Sequence, residues 1–247
     1  MSTPERALLF VFAHPDDESY GVAGTIARYA ADGRTRVAVA TMTRGESSRH
    51  LQTLGITPEE LGRRREAEVR AALEILGCRE HYQFDFPDSG MRHVDPREVE
   101  ARIRELVREV RPDVISTFDI TGISGHPDHN VTSASVTRVY RDERESAGRP
   151  RRLAYYGVRE EDVRDWDRLI HVMKPAETHV RLDCRAYLEL RREALYSHRS
   201  VIGDIERDDA NDGLRREEEC YTLYGEVGRV DPEAPLEDLF EDLPPAP

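Results

Sequence analysis

Residues 7–12 form an unbroken apolar run, Ala-Leu-Leu-Phe-Val-Phe, that ends just before the cluster His14-Pro15-Asp16-Asp17-Glu18. A run of this length, rich in β-preferring side chains, fits one buried strand and is far too short to span a membrane. Similar runs near 36–42, 80–84 and 113–118 alternate with amphipathic stretches at 22–31, 58–76 and 96–110, each punctuated by Gly or Pro at an end. Strand and helix in alternation predict an α/β fold, a Rossmann-like, mostly parallel sheet with helices on both faces. Right-handed crossovers then bring residues 14–18, 43–48, 85–91 and 119–129 to the carboxyl edge of the strands, where such sheets place their chemistry.

The chain has 247 residues, enough for one sizeable core. We expect a single domain over 1–230 and an acidic, Pro-rich tail over 231–247, mobile or laid on the surface. Past residue 130 the pattern predicts a helix to about 145, a strand at 153–157, a hairpin from 169–173 and 178–182, and a helix over 187–196. The net charge of −13 argues against a nucleic-acid or anionic-membrane partner. Cys78, Cys184 and Cys220 show no C-x-x-C spacing, so a reduced, cytoplasmic protein without a thiolate metal site is expected. No secretory signal is visible at the N-terminus. A homo-oligomer is compatible with these features.

The second histidine cluster is His126-Pro127-Asp128-His129. Pro127 suits the first turn of a helix, which would set His126 and His129 on one face. Imidazole nitrogen and carboxylate oxygen are zinc ligands, and a hydrolytic site uses three of them with a water in the open position. His14, an aspartate and His129 meet that count. Pro15 favours a turn in which Asp16 and Asp17 can share the site, one on the metal and one as base; their residue types alone do not say which. Each cluster taken singly reads as a capped turn or a solvated helix start. Their arrival at the same sheet edge favours chemistry. Gly21 and Gly24 lack the full G-x-G-x-x-G, and acids at the turn would repel a pyrophosphate, so a dinucleotide site is rejected. His50, His81, His93, His171 and His179 have no spacing partner and read as surface or supporting histidines.

The run Ala13–Glu18 and the later His126-Pro127-Asp128-His129 resemble the LmbE-like, or PIG-L, N-acetylglucosaminyl deacetylases. Residues 43–46, 65–68, 87–91 and 196–200 look like further segments of that family. The resemblance implies that His14, Asp17 and His129 bind zinc or another divalent metal such as Fe2+, and that Asp16 is the general base. It implies that His126 stabilises the oxyanion, that Asp128 orients His126, and that Arg65 and Asp88 hold the sugar. His198 would be a rim residue by resemblance, a helix-end cap by default. The chain departs from the family at Ser124, where some members carry tyrosine, and at Val201, where glutamine is usual.

We therefore expect a zinc-dependent hydrolase that removes acetyl from the 2-acetamido group of a small amino-sugar substrate. The alternatives are an amidase acting on a thiol-sugar conjugate and a metal-retaining sugar-binding protein without turnover. Intact Asp16 argues against the latter, since binding alone needs no base. Residues 43–57, with Gly45 and Gly55 and no clear period, read as a rim loop able to close over the crevice.

Overall fold

The computed structural model describes residues 5–163, 170–210, 215–226 and 228–245. In chain order the elements are β1 (Arg6–Phe12), α1 (Asp17–Ala31), β2 (Thr35–Thr43), the one-turn α2 (Leu51–Leu54), α3 (Pro58–Ile75), β3 (Glu80–Phe86), α4 (Pro96–Val110), β4 (Val114–Phe118), the one-turn α5 (Gly122–Gly125), α6 (Pro127–Ala147), β5 (Arg152–Arg159), β6 (Val172–Met173), β7 (Val180–Asp183), α7 (Leu188–Ser197), α8 (Ile202–Ala210) and β8 (Glu218–Leu223). The sheet order is β3-β2-β1-β4-β5-β8-β7, parallel from β3 to β5 and antiparallel at β8 and β7.

The alternation of side chains along β1 explains the two-sided core. Leu8, Phe10 and Phe12 face a cluster shared with α1 and α3, while Leu9 and Val11 face one shared with α4 and α6. All five are fully buried, and each contributes about 1.5–3 kcal/mol by leaving water. Two differences from the sequence reading matter. The segments around 172 and 180 do not form a hairpin: β6 pairs with β5 and β7 with β8, which the sequence reading left out. Val180 and Leu182 alternate inward because β8 offers them an antiparallel edge; Leu169 of the expected hairpin lies outside the described residues. In addition, α1 begins at Asp17 rather than near residue 22, and its backbone breaks at Val22 (φ −139°). The break frees the N–H groups of Gly24 and Thr25, and the buried Glu219 carboxylate of β8 accepts both, at 2.9 and 2.8 Å.

Residues 231–245 lie along the sheet. Leu236 bridges to Val180, and Leu239 is wholly buried. Arg152 at the start of β5 pairs with Glu226 at 3.0 Å and donates to the carbonyls of Leu239, Glu241 and Asp242.

Candidate metal centre

The loops that follow β1 to β4 are fastened to one another at the carboxyl edge. Thr43 N donates to Ala13 O at 2.9 Å, Ser47 N to Asp88 Oδ2 at 2.7 Å, and Ser89 N to Asp128 Oδ2 at 2.6 Å. Asp16 has a left-handed backbone, φ 107°, which costs on the order of 1–3 kcal/mol in a non-glycine residue. That turn sends adjacent carboxylates in different directions: Asp17 toward His14 and His129, Asp16 onto Arg65 at 2.7 Å.

Three side chains form a triangle in which a different oxygen of Asp17 faces each imidazole. His14 Nδ1 and His129 Nε2 are 3.1 Å apart, Asp17 Oδ2 is 3.6 Å from the first and Asp17 Oδ1 3.4 Å from the second. Ligand atoms about 2.0–2.2 Å from a tetrahedral zinc lie about 3.3–3.6 Å from one another. The far ring nitrogens set the tautomers. His129 Nδ1 donates to Gly122 O at 3.0 Å, and His14 Nε2 donates toward Asp88 Oδ1 at 3.2 Å and Asp128 Oδ2 at 3.3 Å. Neutral His14 and His129 then turn bare lone pairs on each other, an arrangement that a shared cation relieves. Two imidazoles and a carboxylate suit a divalent metal of borderline softness, so the residues fit such an ion.

The electrostatics agree. Burial pushes His129 down to about 4, with His14 adding to the effect and Asp17 opposing it, so the ring stays neutral. Burial would raise Asp17, but His129 and His14 hold it at about 2 and keep it anionic. Asp16 is pushed up to about 6 by burial, with Arg65 opposing and Asp17 adding. Burial works against a charged His14, yet Asp128, Asp17 and Asp88 together raise its pKa well above the ordinary value. Without a cation, a proton takes the place between these groups.

The other expected site residues are placed differently from what the resemblance implied. The buried Asp128 carboxylate does not orient His126: the N–H groups of Ser89 and Met91 capture it, and its remaining contact is His14 Nε2. Only the Asp128 backbone N–H reaches His126, donating to Nδ1 at 3.2 Å. The His126 ring stands edge-on to His14, with centroids 4.7 Å apart, and its nitrogens lie within 4.8 Å of those of His14 and His129. Arg65 and Asp88, expected to hold the sugar, engage protein groups here. Arg65 is buried and donates to Gly45 O, Pro15 O and Asp16; Asp88 is shared between His14 and Ser47 N. His198 is not a rim residue either. It is fully buried and donates to Glu18 Oε1 at 2.9 Å, a pairing that no local spacing could announce. His81 meets Thr41, His179 accepts from Leu223 N, and His50 meets Asp204.

A cavity of about 410 Å³ opens beside the triangle, bordered by Asp16, Asp17, His129, Ser124, Tyr156 and Val201. Its rim includes Arg49 and Asp204. Arg49 and His50 both pair with Asp204 of α8, at 2.6 and 2.8 Å, so the rim loop expected to move is latched in this structure.

Residues 9–140 match the family profile described as PIG-L, GlcNAc-PI de-N-acetylase. The 1D-myo-inositol 2-acetamido-2-deoxy-alpha-D-glucopyranoside deacetylase of Rhodococcus jostii is 33% identical over an alignment covering 96% of this chain and 98% of its own length. Among solved structures, N,N'-diacetylchitobiose deacetylase from Pyrococcus horikoshii superposes with a TM-score of 0.68 at 20% identity, covering 88% of this chain and 83% of its own. GalB, a 4-carboxy-2-hydroxymuconate hydratase from Pseudomonas putida KT2440, superposes at 0.62 with 17% identity, covering 89% and 96%. A scaffold common to a deacetylase and a hydratase does not by itself select a reaction.

Proposed function

Since the chain belongs to the PIG-L, or LmbE-like, family of de-N-acetylases, we propose that it hydrolyses the 2-acetamido group of an N-acetylglucosamine-containing small molecule with zinc held by His14, Asp17 and His129. The substrate class follows the relatives, whose names specify an N-acetylglucosaminyl inositol. The observation that carries the reading is the approach of His14 Nδ1 and His129 Nε2 to 3.1 Å with the Asp17 carboxylate against both. A divalent metal bound there supplies Lewis acidity to the attacking water and to the amide carbonyl. Asp16, half-buried and paired with Arg65, accepts the proton that the water sheds. His126, with Nδ1 occupied by a backbone N–H, offers Nε2 to the substrate oxygen or to the departing amine. One water is added across the C–N bond, acetate leaves, and the sugar keeps a free amine.

Arg65 and Asp88 act in this reading as holders of Asp16 and His14. The acidic surface and the three free, buried cysteines fit a small-molecule enzyme of a reducing, cytoplasmic compartment. No helix among the described residues is long and apolar enough to cross a membrane. The test is elemental analysis of fresh and reconstituted protein together with a panel of N-acetylglucosaminides, including inositol and malate glycosides and chito-oligosaccharides, scored for released amine. We expect close to one metal per chain, lost in His14→Ala and His129→Ala, and turnover of at least one glycoside. Protein without stoichiometric metal, or loaded protein inert to the whole panel, would refute the proposal.

A further inference from the structure

Tyr156, near the carboxyl end of β5, has a buried ring and an unused hydroxyl. The ring packs edge-on to Phe12, with centroids 5.8 Å apart, and against Phe118 at 5.7 Å. Phe118 in turn stacks flat on the His129 imidazole, at 4.0 Å and 9°. Phe118 thus joins the phenol and a donor of the triangle in one aromatic stack. Tyr156 borders the cavity with Asp17 and His129. Its hydroxyl makes no hydrogen bond among the described residues and is not among the enclosed polar atoms that lack a partner. The hydroxyl is therefore not fully enclosed, and the residue borders the cavity.

Space for the phenol is built into α1. A Cβ on Gly21 would lie 2.8 Å from Tyr156 Cζ and 3.0 Å from its oxygen, closer than side chains approach one another. Gly21, which carries no dinucleotide loop, clears the hydroxyl end of this ring. Ser124, which also borders the cavity, is exposed and short, and the His126 ring lies beside both His14 and His129, with centroids 4.7 and 5.1 Å away. Burial, with the Asp17 charge adding, keeps the phenol protonated and therefore a donor.

We propose that the Tyr156 hydroxyl is a catalytic hydrogen-bond donor to the carbonyl oxygen of the scissile amide, engaged as negative charge builds on that oxygen. The inference rests on the deacetylase reading above. Tyr156→Phe keeps the ring and its packing on Phe12 and Phe118, so the fold and the three metal donors are retained. Removing one donor to a developing oxyanion typically lowers kcat by about 10²–10³-fold; for a single neutral phenol we expect about 10²-fold, with KM changed less than about threefold and metal content unchanged. The assay is acetate release from the N-acetylglucosaminyl inositol, with kcat and KM measured on zinc-loaded wild type and variant. A parent-like kcat in Tyr156→Phe overturns the proposal, as does a loss confined to KM, which would make the phenol a ground-state contact. Wild-type protein that is inactive on every glycoside of the panel indicts the deacetylase reading instead, so the two failures are told apart.

Discussion

Asp88 and Asp128 both meet the same His14 N–H, at 3.2 and 3.3 Å, and this sharing sets different expectations for Asp88→Asn and Asp128→Asn. Carboxylates that orient a metal-ligating histidine are worth about 10- to 100-fold in metal affinity, or about 1.4–2.7 kcal/mol. In Asp88→Asn the His14 proton still has Asp128, so the loss belongs at the tenfold end. Asp128 also takes the backbone N–H groups of Ser89 and Met91, and an asparagine amide has one acceptor oxygen for three donors. Its loss belongs at the hundredfold end and includes some stability. Zinc dissociation constants from chelator competition on apoprotein, with thermal unfolding as the control for fold, measure both. An Asp88→Asn protein with parent metal affinity and a KM raised several-fold would make Asp88 a sugar holder and refute this account.

Asp16→Asn should keep its metal and lose about 10²–10⁴ in kcat, the usual worth of a positioned base; a variant that deacetylates at the parent rate would exclude Asp16 from that role. Arg152→Met leaves buried Glu226 with only the more exposed Arg229, 3.8 Å away, and should destabilise by about 3 kcal/mol, read as a shift in the urea midpoint; a change below about 1 kcal/mol would contradict the clasp described for residues 231–245. Asp204 is held at about 2: burial would raise it, and Arg49 and His50 outweigh that. A depressed carboxyl stabilises the latch above its unfolded value near 4 and ceases to do so as pH falls toward 2. Protection factors in residues 47–54, which correct for the intrinsic pH dependence of exchange, should fall across that window and already be low at pH 6 in Asp204→Asn; equal protection in both proteins at pH 6 would show that the loop is held by something else.

The parallel half of the fold was legible because strands buried on both faces read as continuous apolar runs, as β1 does. The antiparallel edge was not. β8 opens with Glu218 and Glu219, and the second of these acids is buried against Arg191 and the N–H groups that the break of α1 at Val22 leaves open. The proposed metal donors stand in two compact clusters, so the sequence brought His14, Asp16, Asp17 and His129 to one edge. The partners of Asp128, Asp88 and Arg65 were misplaced because a carboxylate or guanidinium goes to whichever backbone groups the neighbouring loops leave unpaired, and that is decided by packing. Tyr156 and His198 announce nothing locally: one depends on a missing Cβ at Gly21, the other on Glu18, 180 residues away in the chain.

The bonds around Arg152 also impose an order on assembly. Its guanidinium is enclosed by Glu226 and by carbonyls as far along as residue 242, and the Leu239 carbonyl follows it by 87 residues. At about 5–20 residues per second, synthesis delivers that acceptor about 4–17 s after the arginine. For the first part of this interval, until β8 is made, β5 has β4 on one side and, apart from the short β6, an open edge on the other. In that span the nascent chain carries a largely open strand edge and an unneutralised cation at its base, and the charge guards that edge against pairing with another chain until β8 closes it.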